Sequence, residues 1–201
     1  MFTNLSRVTT TREALLDAAA AIMRERGYAR TRTRHVAERA GYSEATLYKH
    51  FADKTALMLA VLQERSGAYT QLSAALGSHA GSAEDGLARI ARAAIAFYAD
   101  NFPMLASLFS DPPMLAAHTD GLRSRGLGPY RVNEAMIGWL EAEVAAGRIA
   151  AQADLYAAAG LLIGACMQHA FLGHMGWPAQ RADDRAARSF ARTVLAELAC
   201  K

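Results

Sequence analysis

The chain has 201 residues, enough for one or two domains with a real core. Its two cysteines, Cys166 and Cys200, lie far apart with no Cys-x-x-Cys partner. That excludes a disulfide scaffold and reads as two reduced thiols in a cytosolic protein. The formal net charge is a modest +3, but residues 1–54 hold ten Lys/Arg against six Asp/Glu, while the remainder holds twelve against thirteen. The basic excess therefore sits wholly at the N-terminal end, where an acidic partner would be met. Five prolines, abundant Ala, Leu, Arg and Glu, and no period-two alternation of β-branched residues predict an all-α chain. The N-terminus lacks the apolar core of a signal peptide, and the longest apolar run, Leu155 to Met167, is too short to span a bilayer. We expect a cytoplasmic protein with no membrane segment.

Residues 1–9 read as disordered. Thr10 and Glu13 have capping-box spacing and open a helix carrying Leu15, Ala18, Ala19, Ile22 and Met23 on one face, ended by Gly27. In the stretch Thr31 to Lys54, Val36, Ala37 and Ala40 form a small apolar stripe, and Gly41 stops that helix because glycine reaches a left-handed conformation cheaply. Ser43 is placed as the N-cap of a second helix, roughly Glu44 to Phe51. Too short to be stable alone, it must pack through Ala45, Leu47 and Phe51, leaving Glu44, Thr46, Tyr48, Lys49 and His50 outward. Asp53 caps a further helix, predicted to run unbroken to about Leu76, and residues 77–81 are a loop. A helix over Glu84 to Asn101 is broken at Asn101-Phe102-Pro103, because proline disfavours helix in the residue before it. Met104 to Phe109 reads as a separate short helix, and Asp111-Pro112-Pro113 as another break. Residues 114–128 are poorly defined. Tyr130 to Arg148, Ala153 to about Met175 (ended by Gly176-Trp177-Pro178) and Asp183 to Cys200 complete the helices.

A helix, a glycine turn and a short second helix exposing polar groups fit a helix-turn-helix, though an ordinary helical hairpin has the same pattern. The particular residues favour the first. The stretch AERAGYSEATLYKHFADKTAL resembles the signature of the tetracycline-repressor (TetR) family through Ala37, Gly41, Ser43, Thr46-Leu47-Tyr48, His50-Phe51 and Lys54, with Gly27-Tyr28 upstream. The resemblance fades beyond about residue 65. It implies an N-terminal helix-turn-helix DNA-binding domain, residues 1–54, and a C-terminal helical ligand-binding and dimerisation domain, residues 55–201. It also implies a homodimer built from the last two long helices and an inverted-repeat operator in double-stranded DNA. Within the family pattern Tyr48, His50 and Lys54 would contact phosphates, and Thr33 and Arg34 would approach from the preceding helix. Ser43, Glu44, Ala45 and Lys49 occupy sequence-reading positions, and Thr46 shares their outward face. Arg32 stands where a small hydroxyl residue is common and would add a phosphate contact. Glu44 is acidic on a surface facing a polyanion: it either accepts from a cytosine amino group or turns aside to neutralise an arginine. Arg24, Arg26, Arg30 and Arg39 add to the density of cations nearby.

Motifs of catalysis are absent: no G-x-S-x-G, P-loop, H-E-x-x-H or glycine-rich dinucleotide turn occurs. We therefore expect no enzyme and no cofactor. His169 and His174, five apart, share a helix face poorly, so no metal site is expected. The segments 98–140 and 160–177 concentrate aromatic and Met side chains. Such residues at helical spacing are commonly core, but Met-rich helices broken by prolines also line adaptable apolar pockets. The predicted ligand set is Tyr98, Phe102, Leu105, Phe109, Met114, His118, Met136, Trp139, Met167, Gln168 and Phe171, with Asn101 and His169 as further polar groups. The expected function is a ligand-responsive regulator, in the main a repressor, released from DNA by a small apolar molecule. The alternative is a DNA-binding regulator whose C-terminal half only dimerises.

Overall fold

The structure is a computed structural model that describes residues 9–177 and 182–198. The expectation of disorder over residues 1–9 therefore falls almost wholly outside the described residues, as do Pro178 and Cys200. The described residues form ten helices and no strand: α1 (Thr11–Arg26), α2 (Thr33–Ala40), α3 (Glu44–His50), α4 (Lys54–Arg65), α5 (Gly67–Leu76), α6 (Ala83–Phe109), α7 (Pro112–Arg123), α8 (Arg131–Ala145), α9 (Leu155–His174) and α10 (Asp183–Leu198). They divide into two compact units. The N-terminal unit is Met1–Arg65 with Pro103–Gly121, and the C-terminal unit is Ser66–Phe102 with Leu122–Lys201. The N-terminal unit thus takes in more chain than the stretch 1–54 expected to bind DNA.

Capping explains where most of these helices begin. Thr10 and Glu13 close a reciprocal capping box on α1. Ser43 accepts from the Thr46 amide, Asp53 from Ala56 and Asp154 from Ala157, each satisfying an amide that the first turn leaves free. Three sequence expectations need correction, and each turns on local chemistry at a helix end or a proline. The helix opened by Asp53 does not run to Leu76. It stops at Arg65, and Ser66, in extended conformation, caps α5 by accepting from the Tyr69 amide at 3.1 Å. Pro103 does not break α6, which continues from Ala83 to Phe109 with the proline inside. Proline removes the N–H that would have bonded the carbonyl four residues back, that of Ala99. His174 Nε2 donates to that carbonyl at 2.7 Å instead, so the group is not orphaned. Residues 114–128 are not poorly defined, because Asp111-Pro112 starts a helix. Asp111 accepts from the Met114 amide at 3.0 Å, and Pro112 occupies the first turn, where no amide is needed.

Each unit has its own core. In the N-terminal unit Leu15, Leu16, Ile22 and Met23 of α1 meet Val36, Leu47, Phe51, Leu57 and Val61, with Met104 and Leu108 joining them. In the C-terminal unit Leu87, Ile90 and Ile95 of α6 meet Met136, Trp139 and Leu140 of α8, Leu162 and Cys166 of α9, and Ala187, Ala191 and Val194 of α10. Burial pushes the Cys166 thiol up to about 12, so it stays protonated and behaves as a small hydrophobe. The α9 helix, at 20 residues, is longer than the apolar run inside it. By length and composition it could cross a membrane, a test that core helices also pass.

Candidate functional site

The turn between α2 and α3 fixes the site. Gly41 is left-handed at φ 80°. Its amide bonds Glu38 O at 3.1 Å, and the Tyr42 amide bonds Ala37 O at 2.9 Å. These two bonds form a Schellman termination, which reverses the chain while satisfying the last carbonyls of α2. Ser43 then starts α3, with its hydroxyl 3.2 Å from the Thr46 amide and 2.9 Å from Thr46 Oγ1. Leu47 and Phe51 are buried, which pins the inner face of α3 to the core. Ser43, Ala45, Tyr48, Lys49 and His50 are exposed, and Glu44 and Thr46 half-buried. Ala45 was expected to pack inward as well as to stand at a reading position, and it lies on the outward side.

Several predicted side chains have partners inside this unit. Thr33 Oγ1 donates to Glu44 Oε1 at 2.5 Å and lies 3.2 Å from Tyr48 OH. Arg34 pairs with Glu38 one turn on at 2.8 Å, which raises its already high pKa through the hydrogen bond. Both partners are exposed, and such a pair is weak enough to exchange for another anion. Arg39 forms a two-pronged pair with Glu25, at 2.8 Å for each bond. Arg32 is exposed, and Arg30 Nε donates to Arg26 O.

Lys54 is turned inward. Its ammonium lies 4.4 Å above the Tyr28 ring, 3.3 Å from Ala29 O and 3.8 Å from Met114 Sδ. Desolvation lowers it to about 8, against a smaller opposing pull from Asp111. His118, 6% exposed, packs with its ring tilted 59° against Tyr28 at 5.0 Å, and its Nδ1 is buried without a partner. Its pKa is lowered, first by burial and then by the Lys54 charge. The periodicity of α4 could not have revealed this cluster, because it depends on α7, which the sequence did not disclose.

The predicted ligand residues fall into both units. Leu105, Met114, His118 and the exposed Phe109 belong to the N-terminal unit. In the C-terminal unit, Met136 and Trp139 are core side chains rather than cavity walls. Trp139 donates to Ser78 O at 2.9 Å and stacks on His79. Tyr98, Phe102 and Phe171 form an aromatic chain, with ring centroids 6.3 and 5.7 Å apart, and its middle ring, Phe102, also meets His174 at 5.9 Å. Met167 and Phe171 are 45% exposed, and Gln168 is also exposed. Asn101 is buried and donates to Phe97 O, and His169 bonds Asp183. Two concavities in this unit are lined by other residues. One, of about 960 Å³, lies among α5, α6 and the start of α10 beside Arg89 and Arg92. The other, of about 450 Å³, is a groove along α9 and α10 lined by Leu161, Ala165, Phe190 and Val194. Among the described residues no cluster of His, Cys, Asp or Glu could hold a metal.

An α2–turn–α3 pair with a buried inner face and an exposed polar outer one defines a helix-turn-helix DNA-binding unit. Residues 15–61 match the family model of the bacterial regulatory proteins of the tetR family, TetR_N. Over 56 residues the chain is 39% identical to YvkB of Bacillus subtilis, an uncharacterised HTH-type transcriptional regulator, a stretch covering 28% of this chain and 30% of that protein. Likeness of fold extends much further. A TetR-family structure from Mesorhizobium loti superposes with a TM-score of 0.69 at 23% identity, over 92% of this chain and 95% of that one. The FadR structure from Bacillus subtilis in complex with stearoyl-CoA gives 0.63 at 16% identity, over 92% and 98%.

Proposed function

We propose that the chain is a ligand-responsive transcriptional repressor that binds an inverted-repeat operator as a homodimer and leaves it when a small apolar molecule binds. The observation that carries the reading is the Schellman-turned α2–α3 pair, which seats Leu47 and Phe51 in the core and holds Thr46, Lys49 and His50 outward. The basic excess of residues 1–54 supports the same partner. In this reading His50 and Arg32 meet phosphates, Arg34 and Lys49 reach base edges with Ser43 and Ala45 beside them, and the protein works in the cytoplasm.

A two-fold partner is supported by α9, which exposes Tyr156, Leu161, Met167 and Leu172 and borders the apolar groove shared with α10. Covering such a face with a second copy removes apolar surface from water, and a single helix-turn-helix reads only one half-site. A ligand is supported by the partly exposed aromatic chain Tyr98–Phe102–Phe171. The FadR relative was solved with stearoyl-CoA, which makes long acyl compounds the first class to screen here. The ligand-free alternative draws on one observation: Met136 and Trp139, expected at the pocket, are packed core. Thermal-shift screening with acyl compounds separates the two readings.

The DNA reading is tested by selecting from random duplexes with the full-length chain. An enriched inverted repeat is expected, with affinity falling steeply as salt rises. A direct repeat, or no enrichment, overturns it.

A further inference from the structure

Glu44 is an acid on a face whose exposed neighbours, Tyr48, Lys49 and His50, are polar or basic. On a surface that meets a polyanion, an uncompensated carboxylate weakens binding to every sequence alike, unless a base edge supplies a donor for it. Among the described residues no arginine forms an ion pair with it, although its charge is felt by Arg34. Arg34 is paired with Glu38, and the partner of Glu44 is a hydroxyl, Thr33 Oγ1, at 2.5 Å. Thr33 has a single hydroxyl proton, and Glu44 Oε1 receives it. The 3.2 Å contact between Thr33 and Tyr48 must therefore be donated by Tyr48. The three side chains form a directed relay, Tyr48 O–H to Thr33 O–H to the carboxylate. It ties the carboxylate to α2 by one oxygen and uses the Tyr48 proton inward, where it is not offered to a phosphate.

An ionised carboxylate only accepts. In the major groove, guanine and thymine present acceptors, and adenine sets an acceptor, N7, beside its amino group. Cytosine alone presents an amino donor without an adjacent acceptor on the same base. We propose that Glu44 is the specificity-determining residue that selects one C·G pair in each half-site, with Thr33 and Tyr48 as the positioning residues that aim its carboxylate. This rests on the DNA-binding reading above and deepens it by assigning one base pair to one side chain.

The test repeats the duplex selection with the full-length wild type, Glu44→Gln, Glu44→Ala, Thr33→Val and Thr33→Ser. The wild type should prefer C at one column of each half-site by roughly 5- to 150-fold, the range of a good side-chain–base contact. Glu44→Gln should move that column to A, because an amide both accepts from adenine N6 and donates to N7. Glu44→Ala should flatten the column. Thr33→Val, which keeps shape but loses the hydroxyl, should weaken the same column and no other, and Thr33→Ser should restore it. Rescue by serine is a result that a purely steric role for Thr33 would not give. A wild type that enriches no sequence overturns the DNA-binding reading, and this assignment with it. An enriched operator whose columns are identical for the wild type and Glu44→Gln overturns the assignment alone.

Discussion

The ion pairs of the N-terminal unit lie at the surface, whereas in the C-terminal unit one carboxylate, Glu143, is buried beneath exposed cationic partners. In the first, Arg12–Glu64 and Arg39–Glu25 are two-pronged and Arg65–Asp17 single, and each has exposed groups. These pairs join α1 to α4 and to α2, and being in water they contribute little each. In the second, Glu143 is 1% exposed and accepts from Arg148 Nε at 2.5 Å and Nη2 at 2.7 Å, while His79 Nδ1 lies 2.7 Å from it. His79 in turn stacks on Trp139, so one carboxylate anchors the loop before α6 to the end of α8. A helical unit with a dense apolar core can leave its charges outside. The Ala-rich C-terminal unit holds a loop with a buried charge instead, and a buried charge is costly once its partners are lost.

The largest effect should follow from breaking that anchor. Glu143→Gln should cost about 1–3 kcal/mol in chemical denaturation, because the buried side chain loses its charge-assisted bonds to Arg148 and His79. Glu64→Gln, on the surface, should cost well under about 1 kcal/mol. The Glu143 carboxyl is held below the ordinary carboxylate range, first by its hydrogen bond from Arg148. Its stabilisation is therefore present above the ordinary value of about 4.5 and lost as pH falls below it, a loss the Gln variant should lack. Equal costs for the two variants would break the comparison.

A second test probes how tightly the enclosed region packs. A Cβ on Gly86 would collide with the Trp139 ring that carries His79. Gly86→Ala should cost about 1–3 kcal/mol despite the better helix propensity of alanine. Gly41 has open space around its Cα but a positive φ, so Gly41→Ala should cost about 1 kcal/mol through backbone strain alone. If Gly86→Ala is neutral while Gly41→Ala is not, the C-terminal core has room to yield around Trp139.

Different stretches of the chain are also unequally legible in the sequence. Thr10–Glu13, Gly41 and Ser43 each act within a few residues, so the capping box, the turn and the start of α3 could be read directly. Around the prolines and in the C-terminal core the sequence misleads, through a distant partner or through a local cap that looks like a break. Pro103 looked like a break because the sequence does not show that His174, 75 residues away from Ala99, replaces the missing amide. Asp111-Pro112 carries the signal of a stop, yet the same dipeptide caps and opens α7. Met136 and Trp139 matched the pattern expected of a pocket, but periodicity does not distinguish a cavity wall from core. The outward face of α3 was legible as a list of residues. The relay through Thr33 was not, because it depends on a crossing between two helices.

The smallest predicted effect returns to the N-terminal unit and its one half-buried ammonium, Lys54. This group faces Tyr28, Ala29 O, Met114 and His118, with the charge of Asp111 acting on it from the start of α7 and Asp53 preceding it in the chain. Its value of about 8 is depressed from 10.5, so the charged form costs the folded state. Between about pH 8 and 10.5 the unfolded chain holds a proton that the folded chain has released, and stability should rise with pH across that window. Lys54→Met should remove this rise, which denaturation at several pH values would show. DNA distinguishes two fates for the side chain. If Lys54 swings out to a phosphate, binding favours its protonated form, and operator affinity should fall roughly several-fold between pH 7 and 9 in the wild type but not in Lys54→Met. If it stays over Tyr28 in the complex, both proteins should respond to pH alike, and Lys54 belongs to the core of the unit rather than to its contact with DNA.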